Sequence, residues 1–150
     1  MKKIFLTAIV LALSFTGVSC DDDDDNSSVH IPSSELPAPA AAFLDTYFND
    51  IDIVKVEKDV NSNDEYYEVD LAGGIEVHFD QAGNWTEVDG NGQPIPTGFI
   101  PDAIVTHVSE NYQSQAIESI DKKSYGYAVD LLNGTELRYD QSGEFIGTGN

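Results

Sequence analysis

A 17-residue stretch occurs twice in the chain. Residues 69–85 read VDLAGGIEVHFDQAGNW and residues 129–145 read VDLLNGTELRYDQSGEF, sixty positions apart with no gap. Val, Asp, Leu, Gly, Glu, Asp, Gln and Gly recur in place, and an aromatic residue closes each copy. Such self-similarity marks a supersecondary unit used more than once. Within each copy apolar and polar residues alternate, which is the period of a strand with one buried face. Ala72-Gly73-Gly74 and Asn133-Gly134 break the alternation with residues that accept positive φ. Each copy therefore predicts a β-hairpin.

The flanking sequence extends the pattern. Leu36-Pro37 opens a helix, since Pro costs nothing in a first turn, and Ala40, Ala41, Phe43, Leu44, Tyr47 and Phe48 form its apolar face up to about Asn49. Ile53, Val54 and Val56 predict a short strand with Lys55, Glu57 and Lys58 outward. Tyr67, Val69 and Leu71, then Ile75, Val77 and Phe79, face inward, and Trp85 to Val88 is a fourth short strand. Ile100-Pro101 repeats the opening of the helix, with Ile104, Val105, Val108 and Tyr112 apolar. Ile117 and Ile120 follow, then Tyr127, Val129 and Leu131, then Thr135, Leu137 and Tyr139, and a last strand at Glu144 to Ile146.

The expected fold class is α+β: a tandem repeat of a helix followed by a three- to four-stranded antiparallel meander, joined into one extended sheet with both helices on one face. The expected organisation is a signal peptide (1–19), an acidic tether and linker (20–35), a first repeat (36–90), a linker (91–99) beginning within the turn-rich DGNGQPIPT, and a second repeat (100–150).

The N-terminus carries processing information. Lys2 and Lys3 precede a mostly apolar run from Ile4 to Phe15, and Gly17-Val18-Ser19 brings small residues up to Cys20. This is a secretory signal, too short for a spanning helix. Cys20 stands where a lipoprotein signal places its acylated residue, although Gly17 occupies a position where Leu is usual. A plain signal peptide cut near this point is the alternative. Asp21 to Asp25 are five adjacent carboxylates that repel one another, so the segment up to Ser28 is expected to be a solvated tether. The run resembles the acidic signal after the lipidated cysteine in surface-exposed lipoproteins of Bacteroidetes. The expected location is the cell envelope, lipid-anchored, in the outer membrane, either periplasmic or surface-exposed.

Charge and cysteine content narrow the partners. With 7 basic against 27 acidic residues the net charge is −20, and removal of Lys2 and Lys3 makes it two units more negative. This excludes nucleic acid and an anionic lipid surface, leaving the lipid anchor as the membrane contact, and suits a basic peptide or basic protein surface. The single cysteine forms no disulfide within the chain, so the fold rests on its core.

No reaction is spelled out. The sequence holds no nucleophile–base pair, phosphate loop or zinc-ligand spacing, so the chain is expected not to be an enzyme and to carry no cofactor or metal. His78 with Glu76, Glu68 or Asp70 is a weak metal cluster at best, and Asp70 with Asp130 is the nearest thing to an acid–base pair. His107 lies off its helix's apolar face and suits a hydrogen-bonding role. The candidate binding surface is the outward sheet face, with Tyr66, Glu68, Asp70, Glu76, His78, Asp80, Tyr125, Glu136, Arg138 and Asp140, because tyrosines among charges favour interfaces.

The frame L-P…F-L-x-x-Y-F…I-x-x-V-E-K-D…Y-x-V-x-L-x-x-G-x-E-x-x-F-D-x-x-G-x-W from Leu36 to Trp85, with a weaker copy from Ile100 to Phe145, resembles the PepSY-like, beta-lactamase-inhibitor-like family common in secreted lipoproteins of Bacteroidetes. The resemblance implies helix plus antiparallel sheet. It suggests binding of a protein or peptide, with inhibition of a peptidase or other envelope enzyme as the concrete form. It transfers no inhibitory residue, and the second copy departs from the first where Gly126 and Ala128 replace Tyr66 and Glu68. A structural envelope module, or a small-molecule or cation binder lined by Tyr47, Tyr67, Tyr112 and Tyr127, are the alternatives.

Overall fold

The computed structural model describes residues 28–62 and 65–149. The signal peptide, Cys20 and the Asp21–Asp25 run lie outside the described residues. The elements in order are β1 (Ser28–His30), a single 3-10 turn (Ser33–Glu35), α1 (Ala38–Tyr47), β2 (Ile53–Asp59), β3 (Tyr67–Leu71), β4 (Glu76–Phe79), β5 (Trp85–Asp89), α2 (Asp102–Asn111), β6 (Ile117–Lys123), β7 (Gly126–Leu131), β8 (Glu136–Asp140) and β9 (Phe145–Thr148). All nine strands form one antiparallel sheet in sequence order. Among the described residues no helix is long and apolar enough to cross a membrane.

The expected α+β tandem of helix and meander, with both helices on one face, is corrected by this topology. Among the described residues the protein is mainly sheet, a single nine-stranded antiparallel layer with two ten-residue helices. The physical reason is continuity of pairing. β5 bonds directly to β6 (Glu87 opposite Asp121, Val88 opposite Ile120), so the ladder passes through the middle of the chain without a seam. A ninth strand comes from Ser28–His30, a stretch too polar and short to announce itself, which pairs along Glu57–Asp59. Residues 91–99 are also packed: Ile95 is buried and its N–H donates to Ile117 O at 3.0 Å.

Register accounts for the core. Val56, Val69, Val77, Val88, Ile120, Val129 and Leu137 stand opposite one another in a single row across seven strands. None is more than 2% exposed. Each such side chain contributes roughly 1.5–3 kcal/mol by leaving water. The repeated hairpins pair alike, Tyr67 with Phe79 and Tyr127 with Tyr139. Ala40 and Leu44 of α1 and Ile104 and Val108 of α2 join the same core cluster. Pro37 and Pro101 each precede a helix, and Phe48 and Tyr112 close them by donating N–H to Leu44 O and Val108 O, both at 2.8 Å.

Bulges correct one expectation in detail. The register slips between Ile53 and Lys55, so Val54 faces no partner and is 67% exposed instead of inward. A second slip between His78 and Phe79 inserts Thr86 into β5, and a third between Arg138 and Tyr139 inserts Ile146 into β9. A bulge reorients the residues on either side of it. The slip at Thr86 is what lets Trp85 face the core while Glu87 faces out.

Candidate functional site

The outer sheet face is built by the same register. One row runs His30, Glu57, Glu68, His78, Glu87, Asp121, Ala128, Arg138, Gly147 from β1 to β9. The adjacent row runs Lys55, Asp70, Glu76, Asp89, Ser119, Asp130, Glu136 from β2 to β8. Together the rows set nine carboxylates beside Lys55 and Arg138. Five directly opposed pairs are like-charged: Glu57 with Glu68, Asp70 with Glu76, Glu76 with Asp89, Glu87 with Asp121, and Asp130 with Glu136. Like charges opposite one another destabilise a sheet.

Local neutralisation is partial. Lys55 Nζ bridges Glu57 at 3.0 Å and Asp70 at 3.3 Å, Lys123 pairs with Asp121, and Arg138 Nε donates to Glu136 at 2.8 Å. Ser119 Oγ donates to Asp130 at 3.0 Å. Burial pushes the Glu68, Glu87 and Asp130 carboxyls above the ordinary range. At Glu87 the Asp121 and Glu65 charges add to burial, while His78 opposes it. At Asp130 the Ser119 hydroxyl opposes burial and Glu136 adds to it.

The structure brings Glu68, Asp70, Glu76, His78, Glu136 and Arg138 onto this face. It places other candidates elsewhere. Asp80 Oδ1 accepts N–H bonds from Ala82 and Asn84 at 2.9 and 2.8 Å, and Asp140 Oδ1 accepts from Ser142 and Glu144 at 2.8 and 3.0 Å. Both close the turns after their strands. Tyr66 packs edge-on to Tyr67 beneath Lys58, and Tyr125 is a 39% exposed turn residue beside the first row. Asp70 and Asp130 are four strand spacings apart, about 19 Å, and cannot act on one substrate atom together. Tyr47, Tyr67, Tyr112 and Tyr127 line no common pocket: Tyr47 meets Phe43, Tyr67 meets Tyr66, Tyr112 meets His107 and Tyr127 meets Trp85. Glu57, Glu87, Asp89 and Asp121 complete the rows. Strand alternation marks each as outward; the β2–β3 pairing sets Glu57 beside Glu68, and only the β5–β6 pairing makes Glu87 and Asp121 neighbours.

On the opposite face Trp85 is half-buried against Phe43 and Phe99. Lys122 Nζ lies 3.8 Å from its ring centroid and donates to Trp85 O at 2.8 Å. Burial holds the Lys122 ammonium below its ordinary range. Lys122 is the one basic residue of β6 turned to this side, and its ammonium sits over the face of the indole as a cation–π contact.

These observations define a single antiparallel sheet with an acidic outer face, and comparison places it. Residues 65–147 match the family described as "Putative beta-lactamase-inhibitor-like, PepSY-like", and the chain belongs to that family. It is similar to a "putative calcium-regulated periplasmic protein" of Bacteroides thetaiotaomicron, at 32% identity and a TM-score of 0.75, over 82% of this chain and 97% of that one. Two proteins of Bacteroides vulgatus, each described as a "putative periplasmic protein", are 29% identical with TM-scores of 0.73 and 0.75. They cover 82% and 84% of this chain and 99% of their own. These periplasmic neighbours are consistent with an envelope location. No match is found among curated proteins.

Proposed function

We propose that the protein is a lipid-anchored envelope binding module that takes a basic peptide, or a basic patch of another envelope protein, on its outer sheet face. Restraint of a peptidase or other envelope enzyme is the concrete form of this activity. One observation carries the reading: the two cross-strand rows with five opposed like-charge pairs. The fold gains nothing from them and is weakened by them. A cationic partner would relieve the repulsion and gain from it at the same time. The anchor at Cys20, in the outer membrane, holds the face in the envelope.

The test is titration of a fluorescent lysine-rich peptide into the full chain at low and high salt. Binding should weaken steeply with salt, since exposed charges are screened within a Debye length of about 8–10 Å at physiological ionic strength. Glu76→Lys with Asp89→Lys should abolish it. Glu110→Lys, on α2, should not. Equal loss in both variants, or no binding at low salt, overturns the proposal. A peptidase retained from envelope extract on the tethered chain, and slowed by adding it, would support inhibition.

A second reading concerns calcium. The rows are hard oxygen donors of the type that suits this ion, and the Bacteroides thetaiotaomicron relative is described as calcium-regulated. Calcium in the titration should then compete with the peptide for the same carboxylates.

A further inference from the structure

Within the first outer row one nitrogen has no hydrogen-bond partner. His78 Nδ1 is buried from solvent and unpaired among the described residues, and the side chain as a whole is 15% exposed. It faces Glu65 Oε1 at 4.0 Å and Glu87 Oε2 at 3.9 Å. The three ligand atoms lie within 4.8 Å of one another. At these distances neither contact is a hydrogen bond. A buried polar nitrogen left unpaired costs about 1–3 kcal/mol, so the arrangement is unfavourable as it stands.

We propose that Glu65, His78 and Glu87 bind one zinc-class divalent cation, with His78 Nδ1 and one oxygen from each glutamate as protein ligands. Ligands about 2.0–2.2 Å from a tetrahedral ion stand roughly 3.3–3.6 Å apart. The two His–Glu gaps exceed this by about half an ångström, and the widest separation in the group, within 4.8 Å, by somewhat more than one, which side-chain rotation closes. Glu65, exposed two residues before β3, is free to make most of that movement. Imidazole nitrogen selects zinc, copper or nickel over calcium and magnesium, which take oxygen ligands. The site shares His78 and Glu87 with the first row, so it differs from the rest of that face in the class of ion it takes, and an ion held there lowers the negative charge a basic peptide meets.

The repeat supplies an internal contrast. Sixty positions after Glu65, His78 and Glu87 stand Tyr125, Arg138 and Gly147. The second hairpin keeps the scaffold and lacks all three ligand types, so one ion per chain is expected. Asp121, opposite Glu87, is already engaged by Lys123. Glu68, opposite His78, adds negative charge beside the site without completing a second set of ligands.

The test uses the full chain with zinc chloride alone, followed by calorimetry and by nitrogen NMR of the histidines. One ion per chain should bind, the Nδ1 resonance of His78 should shift, and excess calcium should not displace the ion. His78→Gln and Glu87→Gln should each weaken binding at least tenfold, Glu65→Gln less, and Asp130→Asn not at all. Unfolding without metal checks that each variant is folded. If His78→Gln does not fold, Glu87→Gln and the NMR shift decide. Affinity indifferent to Glu87, displacement by equimolar calcium, or a shift at Nε2 with Nδ1 unmoved would overturn the site.

Discussion

Glu87 and Asp121 stand directly opposite each other where β5 meets β6, the pairing that carries the sheet across the middle of the chain. Two carboxylates at that position oppose the pairing they belong to. Glu87 is held above its ordinary value of 4.5, by burial first and by Asp121 and Glu65 after it, against the opposing charge of His78. Glu68 and Asp130 are raised in the same direction, also chiefly by burial. A carboxyl raised by folding makes the folded state bind protons more readily, so stability increases as pH falls from neutral toward the unfolded value. Asp140 is lowered by the Ser142 hydroxyl and the Glu144 N–H. Asp80 is lowered because hydrogen bonds from Asn84, Ala82 and Gly83 together outweigh its burial. Their contribution is present above the ordinary value of 3.8 and is lost as pH drops through their folded values. Stability should therefore be greatest near 3.8–4.5 and lower at neutral pH. Calorimetry with a chelator present should give a higher Tm at mildly acidic pH than at neutrality. Glu87→Gln should remove part of the difference and add about 0.5 kcal/mol at neutral pH. A Tm that falls steadily on acidification from neutrality would refute this.

Gly126 opens β7 where the first copy has Tyr66. A Cβ there would stand 2.3 Å from Tyr139 O and 2.2 Å from the carbonyl carbon of Asp140, with φ at +145°. Neither backbone atom can yield without breaking the β7–β8 ladder. Gly126→Ala should cost about 2 kcal/mol or more in urea unfolding. Gly134, in the hairpin turn, has open space around the same position, so Gly134→Ala should cost only the positive-φ strain of about 1–2 kcal/mol.

The inward residues were legible because alternation needs no knowledge of partners. Val69, Val77, Val129 and Leu137 all lie where period two places them, and Pro37 and Pro101 mark both helix starts. The rows of the outer face were not legible as rows. Glu87 meets Asp121 across an intervening helix and loop, a relationship that local pattern does not encode, and the Thr86 bulge sets which residues align. Asp80 and Asp140 are a different kind of miss. Their place in D-Q-x-G offers a side-chain acceptor to the following N–H groups, a turn signal visible in the sequence but outranked by the strand pattern. Ser28–His30 has three residues and no apolar alternation, and only the open edge of β2 makes it a strand.

His107 and Tyr139 share a hydrogen bond of 2.9 Å, and the Tyr139 ring is fully buried. Burial holds the phenol well above its ordinary range, so it stays protonated. The two partners differ in their access to water. His107 is half-buried, stacked at 4.5 Å on Phe145. Tyr139→Phe leaves a histidine nitrogen that solvent can reach, and should cost about 1 kcal/mol. His107→Leu strands a buried hydroxyl, and should cost about 1–3 kcal/mol. Urea unfolding of both variants and of the double variant tests this asymmetry. The double variant should recover part of the His107→Leu loss, and a simple sum of the two costs would rule the coupling out.

The anchor is tested through Cys20. A single acyl chain holds a protein only marginally, whereas two or more give stable attachment, which is the arrangement an acylated lipoprotein cysteine provides. In the native host, labelled palmitate should enter the chain and the protein should sediment with membranes. Cys20→Ala should abolish the label and release the protein to the soluble envelope fraction, with Tm unchanged because among the described residues the sheet begins at Ser28. The soluble variant should still bind the lysine-rich peptide, since its charged rows are intact. Labelling that persists in Cys20→Ala would remove the anchor from the proposal and leave the sheet face as its remaining basis.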